Sequence, residues 1–245
     1  MKKFLKISVW VLTIAAIACL WYFTHKEHVA HPLKGVELNL NSAYEHGFID
    51  KDVEYQKIMS ICDTVHNTDI TMIPMDSVRN YLNSIPWAVY TDANITLDEV
   101  MVVNIVECQP IMRVYFKDGS SVYLDEDGNA YPPKHGFSAH LPIASGNITK
   151  KELPKIYEVM KSVLDNSYSR CCVKQVYYDG KNYELVMNNV DLTVILGDGE
   201  NADVKLRNMQ CFFEQMQGSP ELRNYSKINF NFENQVVCTR NKTKK

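Results

Sequence analysis

The sequence predicts an α+β protein with a single N-terminal transmembrane helix, a small βααββ domain, and a β-rich domain with an antiparallel sheet and two packed helices. Three observations lead to this prediction. An uncharged apolar run of 18 residues lies near the start of the chain. Two amphipathic helical patterns then lie between strand patterns, and from residue 110 onward most segments are β-branched runs divided by turn dipeptides.

The apolar run covers residues 7–24, ISVWVLTIAAIACLWYFT. A helix of this length measures about 27 Å, which is enough to cross the hydrocarbon core of a bilayer. Lys2, Lys3 and Lys6 precede the run. By the positive-inside rule we therefore expect a cytoplasmic tail over 1–6 and the bulk of the chain across the membrane, outside the cytoplasm.

Two other interpretations of the apolar run are a cleaved signal peptide and a lipoprotein signal. Ala18 closes a small-x-small triplet of the kind that a signal peptidase cuts, and the AIAC sequence ending in Cys19 is similar to a lipobox. The apolar run continues through residues 20–23 after either cut. A cleaved segment has no need of these residues, so the length of the run favours an anchor.

The next segments predict a linker and then the small domain. Residues 25–34 are polar and histidine-bearing, which is typical of a linker, and the small domain is expected over 35–109. Asp50 is suited to cap a helix, and Pro86 ends one because it lacks a backbone N–H. The predicted elements are a strand at 36–40, helices within 48–62 and 72–87, and two β-branched runs on either side of a turn, within 88–94 and 97–107.

The β-rich domain is expected over 110–240, followed by a flexible tail at 241–245. Asp118-Gly119 and Asp127-Gly128 are hairpin-type dipeptides that divide its first strands. The remaining predicted elements are a helix within 151–167, three strands within 173–180, 181–189 and 190–199, a helix at 202–216, a strand at 225–232, a turn at Glu233-Asn234 and a last strand at 235–240.

Composition and motifs exclude several function classes. The chain has 26 Lys and Arg against 29 Asp and Glu, a formal net charge of -3, which argues against a dedicated nucleic-acid binder. Its 46% hydrophobic content excludes wholesale disorder. The sequence contains no GxSxG, P-loop, GxGxxG, HExxH or CxxC motif. We therefore predict no catalytic residue, no metal and no cofactor.

The cysteines leave one enzymatic alternative open. Cys62, Cys108 and Cys211 fall inside apolar patterns and are expected to be buried. The vicinal pair Cys171-Cys172 is compatible with packing, with disulfides to other cysteines, or with an envelope-anchored thiol hydrolase or transferase. No sequence motif or glycine-rich oxyanion loop flanks the pair, so packing or pairing is the favoured interpretation.

Residues 35–240 resemble the FtsQ/DivIB family of bacterial cell-division proteins. Ile85-Pro86-Trp87 is similar to the family's "-I-PWV" turn, residues 107–113 (ECQPIMR) to "E-PIAR", and residues 123–128 (YLDEDG) to "-LVD--G-". Three later stretches match in order: LPIASG at 141–146, ELVMNNVDLTVILGDG at 184–199 and YSKINFNFENQVVC at 225–238. Trp87 is expected to lie in the core of the small domain rather than to form an exposed partner contact, because its side chain has a large apolar surface.

The resemblance implies a non-enzymatic divisome scaffold of the bacterial inner membrane, at the septum, with the bulk of the chain in the periplasm. It implies a POTRA domain that contacts other division proteins and a C-terminal region where FtsB/FtsL-like partners dock. The last strand, 235–240, is expected at a sheet edge where a partner strand can pair with it, since no proline blocks it. Phe230 and Phe232 are equally compatible with facing the core. The expected partner-binding residues are Tyr225, Ile228, Phe230, Phe232, Gln235, Val236, Val237 and Cys238.

Overall fold

The computed structural model of the protein describes residues 2–28, 33–45, 47–63, 70–188, 192–232 and 235–241. The chain divides into two units, Met1–Cys108 and Gln109–Lys245. Part of the predicted linker, the predicted turn at Glu233-Asn234 and most of the predicted tail lie outside the described residues.

Helix α1 spans Lys2–His28 and contains the apolar run found in the sequence. Its described side chains, from Trp10 to Thr24, are all exposed. The predicted linker therefore begins within α1, because the helix continues to His28. Among residues with described side chains, no helix combines the length and apolar character needed to cross a membrane.

The rest of the first unit is a three-stranded sheet with two helices, in the predicted order βααββ. Strand β1 (Gly35–Asn41) is parallel to β3 (Val100–Glu107), and β2 (Ala88–Ile95) is antiparallel to β3 on its other side. Helices α2 (Lys51–Asp63) and α3 (Met75–Asn83) lie between β1 and β2 in sequence and pack on the sheet.

Local chemistry sets the ends of these helices. Asp50 Oδ1 accepts hydrogen bonds from the backbone N–H groups of Asp52 and Val53, at 3.2 and 3.3 Å, so Asp50 caps α2 as predicted. The predicted helix at 72–87 is shorter than expected. Residues Ile70–Met72 form a separate 3₁₀ turn, and α3 ends at Asn83 because the residue before Pro86 avoids helical backbone angles.

Trp87 lies in the core of the first unit. Its side chain is 4% exposed, and its ring stacks on Phe48 with centroids 3.6 Å apart. Alternate residues of β3 supply the buried face of the sheet, as the pattern of its exposure shows. The prediction of a core tryptophan is confirmed, and Trp87 is not an exposed partner contact.

The second unit is a nine-stranded sheet that carries helices α4 (Leu153–Asp165), α5 (Ser167–Cys172) and α6 (Ala202–Gln215). The strand order is β12-β11-β10-β9-β8-β7-β4-β5-β6. The strands are β4 (Met112–Tyr115), β5 (Ser121–Leu124), β6 (Ala130–Tyr131), β7 (Ile143–Gly146), β8 (Val173–Tyr178), β9 (Tyr183–Met187), β10 (Thr193–Gly197), β11 (Tyr225–Asn229) and β12 (Val237–Arg240).

The two predicted helices are present as α4 and α6, with the short α5 in addition, but the sheet is mixed rather than antiparallel. Three strand pairs are parallel: β4 with β7, β7 with β8, and β10 with β11. For the second and third of these pairs, the physical reason is that a chain returning through a crossover re-enters the sheet in its original direction. Helices α4 and α5 make the crossover from β7 to β8, and α6 makes the crossover from β10 to β11.

The core of the second unit lies between the sheet and its helices. Helices α4 and α6 turn their apolar stripes to this core, and β8 to β11 contribute alternate residues. The fully or almost fully buried members include Ile156, Met160, Leu206, Met209, Val176, Leu185, Val194, Ile228 and Phe230. This packing holds α6 over the strands that lead to β12.

Candidate partner-binding site at the last edge strand

Strand β12 occupies one end of the nine-stranded sheet. It pairs antiparallel with β11, with Asn229 opposite Val237 and Ile228 opposite Cys238. Within the described part of the chain no strand lies beyond it. Its outer backbone groups are therefore accessible to an added strand. The strand starts at Val237 rather than at 235, and β11 ends at Asn229 rather than at 232.

The structure buries two of the eight predicted partner-binding residues. Ile228 is 0% exposed and Phe230 is 4% exposed, and both belong to the core. Phe230 also packs edge-to-face against Phe212 of α6, with ring centroids 5.8 Å apart. A partner cannot reach these two side chains on the folded surface, so their direct effect is on the stability of the site.

The other predicted residues are accessible to different degrees. Phe232 is 47% exposed, Val237 41% and Val236 38%, and Gln235 is also exposed. Tyr225 and Cys238 are half-buried. Burial raises the pKa of the Cys238 thiol, which lowers its thiolate fraction at neutral pH. Three apolar side chains in one short stretch thus remain uncovered next to an open sheet edge.

A groove of about 340 Å³ lies between α6 and the segment that leads into β12. From α6 it is lined by Asn208, Cys211, Phe212 and Gln215, and from the C-terminal segment by Phe230, Phe232, Gln235 and Val236.

The residues of α6 that line this groove are not among the predicted partner-binding residues. Residues 208, 211, 212 and 215 have the spacing i, i+3, i+4, i+7 and so form one stripe of the helix. This stripe adjoins the buried stripe that contains Leu206, Met209 and Phe213. This spacing could have identified the stripe from the sequence, but the sequence pattern predicts a buried Cys211. That prediction is wrong: Cys211 is exposed because it lies on the groove stripe.

A polar cluster holds the segment after β11 in place. The Nζ of Lys205 donates to the Leu196 carbonyl at 2.8 Å and to Asn231 Oδ1 at 3.1 Å. Gly197 has φ +78°, and a Cβ atom there would collide with the Asn231 side chain. These contacts join the end of β10, the start of α6 and the residues that follow β11, and they fix the wall of the groove.

The vicinal cysteines lie at the end of α5. Cys171 is exposed, whereas Cys172 is 9% exposed and belongs to the core cluster. The Cys171 carbonyl accepts a hydrogen bond from Asn188 Nδ2 at 2.7 Å. Among the described side chains, no group of three or more His, Cys, Asp and Glu is placed to hold a metal ion.

The second unit is a mixed sheet with helices, and its edge strand β12 lies beside a groove lined by both polar and apolar side chains. An extended peptide can add as a further strand to an exposed sheet edge of this kind. Residues 109–239, more than half of the 245 in the chain, match the family model described as FtsQ/DivIB, C-terminal related. The chain therefore belongs to this family, as the sequence motifs predicted. No curated protein matches it. The FtsQ/DivIB family is one of non-catalytic cell-division scaffolds.

Proposed function

We propose that this protein is a non-enzymatic scaffold of the bacterial divisome that recruits FtsB/FtsL-like proteins to the septum for septal peptidoglycan synthesis. The recruiting element is β12, to which a partner segment adds as a further strand. The observation that carries this proposal is the position of β12 at the end of the sheet, beside exposed Phe232, Val236 and Val237. Membership of the FtsQ/DivIB-related family supports the division role.

The membrane anchor is part of the same proposal. Residues 7–24 carry no charge and lie within the 27 residues of α1. The exposed apolar side chains of that stretch, such as Trp10, Ile17 and Leu20, are each at least 66% exposed. A helix that is apolar on every side needs an apolar surrounding, which a bilayer supplies. The anchor leaves the tail in the cytoplasm and residues after 24 in the periplasm.

The first unit is proposed to act as a second contact point. The proposed domains are a POTRA-like domain over 35–109, which the βααββ order supports, and a β domain over 110–240. In this arrangement the POTRA-like domain contacts other division proteins, while the β domain binds the FtsB/FtsL-like partner. Depletion of the protein is expected to give filamentous cells that fail to separate.

The edge-strand mechanism is tested with Val237→Pro. Proline removes a backbone N–H and restricts the strand, so it blocks pairing along β12. We expect loss of pull-down of the FtsB/FtsL-like partner and filamentation of cells that rely on the variant. The matched control is Val237→Thr, which keeps the N–H, the side-chain shape and the β-branch. Unchanged pull-down and septation with Val237→Pro would show that partners do not add to this edge.

A further inference from the structure

The three-stranded sheet of the first unit has two faces of different chemistry. The face toward α2 and α3 is apolar and includes the buried side chains of Leu38, Ala93, Met101, Val103 and Ile105. Side chains alternate along a strand, so the residues between these point to the other side of the sheet. This second face, here called the open face, consists of residues 37, 39 and 41 of β1, 90, 92 and 94 of β2, and 102, 104 and 106 of β3.

The open face is rich in residues that strands disfavour. Asn and Asp are depleted in strands, whereas Thr would provide polarity without that cost. Every Asn and Asp of the three strands lies on this one face, and the five residues are Asn39, Asn41, Asp92, Asn94 and Asn104. Strand stability does not account for this composition. Such a conflict between local preference and fold is typical of a functional surface.

Three of these side chains form a row across the sheet. Asn39 lies opposite Asn104, and Asn104 lies opposite Asp92, with about 4.8 Å between neighbouring strands. Asn39 Nδ2 donates to Asn104 Oδ1 at 3.2 Å, and Asn94 Nδ2 donates to Asp92 Oδ2 at 2.7 Å. Within the described part of the chain, Asn39 Oδ1, Asn104 Nδ2 and Asp92 Oδ1 have no partner. The row therefore offers donors and acceptors side by side to a ligand.

An aromatic ring lies next to this row. Tyr90 is 57% exposed and lies two positions before Asp92 on the same face, opposite Val106. A tyrosine ring presents a flat apolar surface with a polar tip. The C–H face of a sugar ring packs on such a surface, while sugar hydroxyl and acetamido groups exchange hydrogen bonds with amides and carboxylates. Tyr90 and the row together thus match the two sides of a sugar.

The charge of the open face excludes other ligand classes. Its nine positions carry two carboxylates, Glu37 and Asp92, and no Lys, Arg or His. A negative surface repels nucleic acids and acidic polymers. The middle of the face is the Asn-Asn-Asp row, whereas the centre of a protein–protein interface is apolar and poor in charge. The chemistry favours an uncharged ligand with many hydroxyl or amide groups.

We propose that the open face of the first unit binds an uncharged glycan strand. One sugar ring packs on Tyr90, and the hydroxyl and acetamido groups of the strand bind Asn39, Asn104 and Asp92. In the proposed periplasmic location this glycan is the sugar backbone of the cell wall. The inference goes beyond the proposed function, because it needs neither a protein partner nor β12.

The test uses the full-length protein in micelles of a detergent without a sugar headgroup. The probe is the hexamer of β-1,4-linked N-acetylglucosamine, and isothermal titration calorimetry gives its Kd. We expect Tyr90→Ala, which removes the ring, to weaken binding at least about fivefold. Asn104→Val keeps a residue suited to a strand but removes the amide, and it should have an effect of similar size. Tyr177→Ala, at a tyrosine of β8 that is 38% exposed, is the matched control and should change Kd less than twofold.

Several outcomes would overturn the inference. One is a wild-type protein that does not bind the hexamer at millimolar concentration, and another is binding by Tyr90→Ala and Asn104→Val within twofold of wild type. A loss in Tyr177→Ala as large as in Tyr90→Ala would mean that the hexamer binds elsewhere. If Tyr90→Ala keeps its affinity for the hexamer but loses pull-down of division proteins, the open face is a protein contact and the glycan is ruled out. Failure of Val237→Pro to affect partner binding would contradict the proposed function and leave glycan binding in place.

Discussion

Among single residues, Asp125 shows how a buried charge is kept in the turn between β5 and β6. Its Oδ1 accepts from the backbone N–H groups of Asp127 and Asn129, at 3.0 and 2.8 Å. Its Oδ2 accepts from the Asn129 amide and the Tyr131 hydroxyl, each at 3.0 Å. Burial opposes ionisation of Asp125, but these hydrogen bonds outweigh it and lower the pKa of the carboxyl below its ordinary value.

The direction of this shift predicts a pH dependence of stability. Because the pKa is lower in the folded state, the contribution of Asp125 is present above its unfolded pKa of about 3.9 and is lost as pH falls through the folded pKa. Asp125→Asn places an NH₂ group against existing donors and should lower the free energy of unfolding by about 1–3 kcal/mol at pH 7. Urea denaturation at pH 7 and pH 3 measures this, and the variant should lose less stability between the two. Asp127→Asn, at an exposed position, is the control. Equal acid sensitivity of wild type and Asp125→Asn would contradict the assignment.

Residue-level reasoning from the sequence identified the C-terminal region but not which side chains face outward. Alternation shows that Ile228 and Phe230 share a face and that Val237 and Thr239 share one, but not which face is covered. Which face is covered depends on where α6 packs on the sheet, and Phe212 of α6 packs edge-to-face against Phe230. Phe232 has the same parity as Phe230 and yet is exposed, because β11 ends at Asn229 and alternation stops there.

Substitutions in β11 and in the segment after it should therefore affect protein stability and partner binding separately. Ile228→Ala removes a fully buried side chain and should lower the free energy of unfolding by about 2–4 kcal/mol. Phe232→Ala removes a side chain that is 47% exposed and should change stability by less than about 1 kcal/mol, while it weakens partner binding. Chemical denaturation and partner pull-down of both variants measure the two effects. Loss of binding in Ile228→Ala without loss of stability would mean that Ile228 reaches the partner after all.

The order of elements was more predictable than strand direction. Local periodicity and turn dipeptides indicated most helices and strands, since these signals depend on neighbouring residues. Two of the parallel pairs, β7 with β8 and β10 with β11, follow from helices lying between their strands, whereas β4 and β7 are separated by β5 and β6. The sequence prediction assumed a sheet made of hairpins. Helix α5 was missed because its six residues, SYSRCC, are too few to show a helical period.

For the molecule as a whole, the choice between scaffold and thiol enzyme comes down to what Cys171 and Cys172 do. Helix α5 exposes Cys171 and turns Cys172 into the core, so the two side chains occupy different environments. A scaffold needs only the packing of Cys172, whereas a thiol enzyme needs at least one of the two sulfurs as a nucleophile. The family relation to division scaffolds favours the first of these.

The corresponding experiment replaces the chromosomal copy with alanine variants and measures cell length and partner pull-down. Cys171→Ala changes an exposed side chain and should leave both unchanged. The double variant Cys171→Ala/Cys172→Ala should still support septation, with a loss of stability of about 1 kcal/mol from the smaller side chain in the core. Filamentation in Cys171→Ala, with normal protein level and normal partner binding, would require chemistry at that sulfur. Filamentation confined to the double variant, together with a lowered protein level, would instead reflect lost packing around Cys172, because only that side chain is buried.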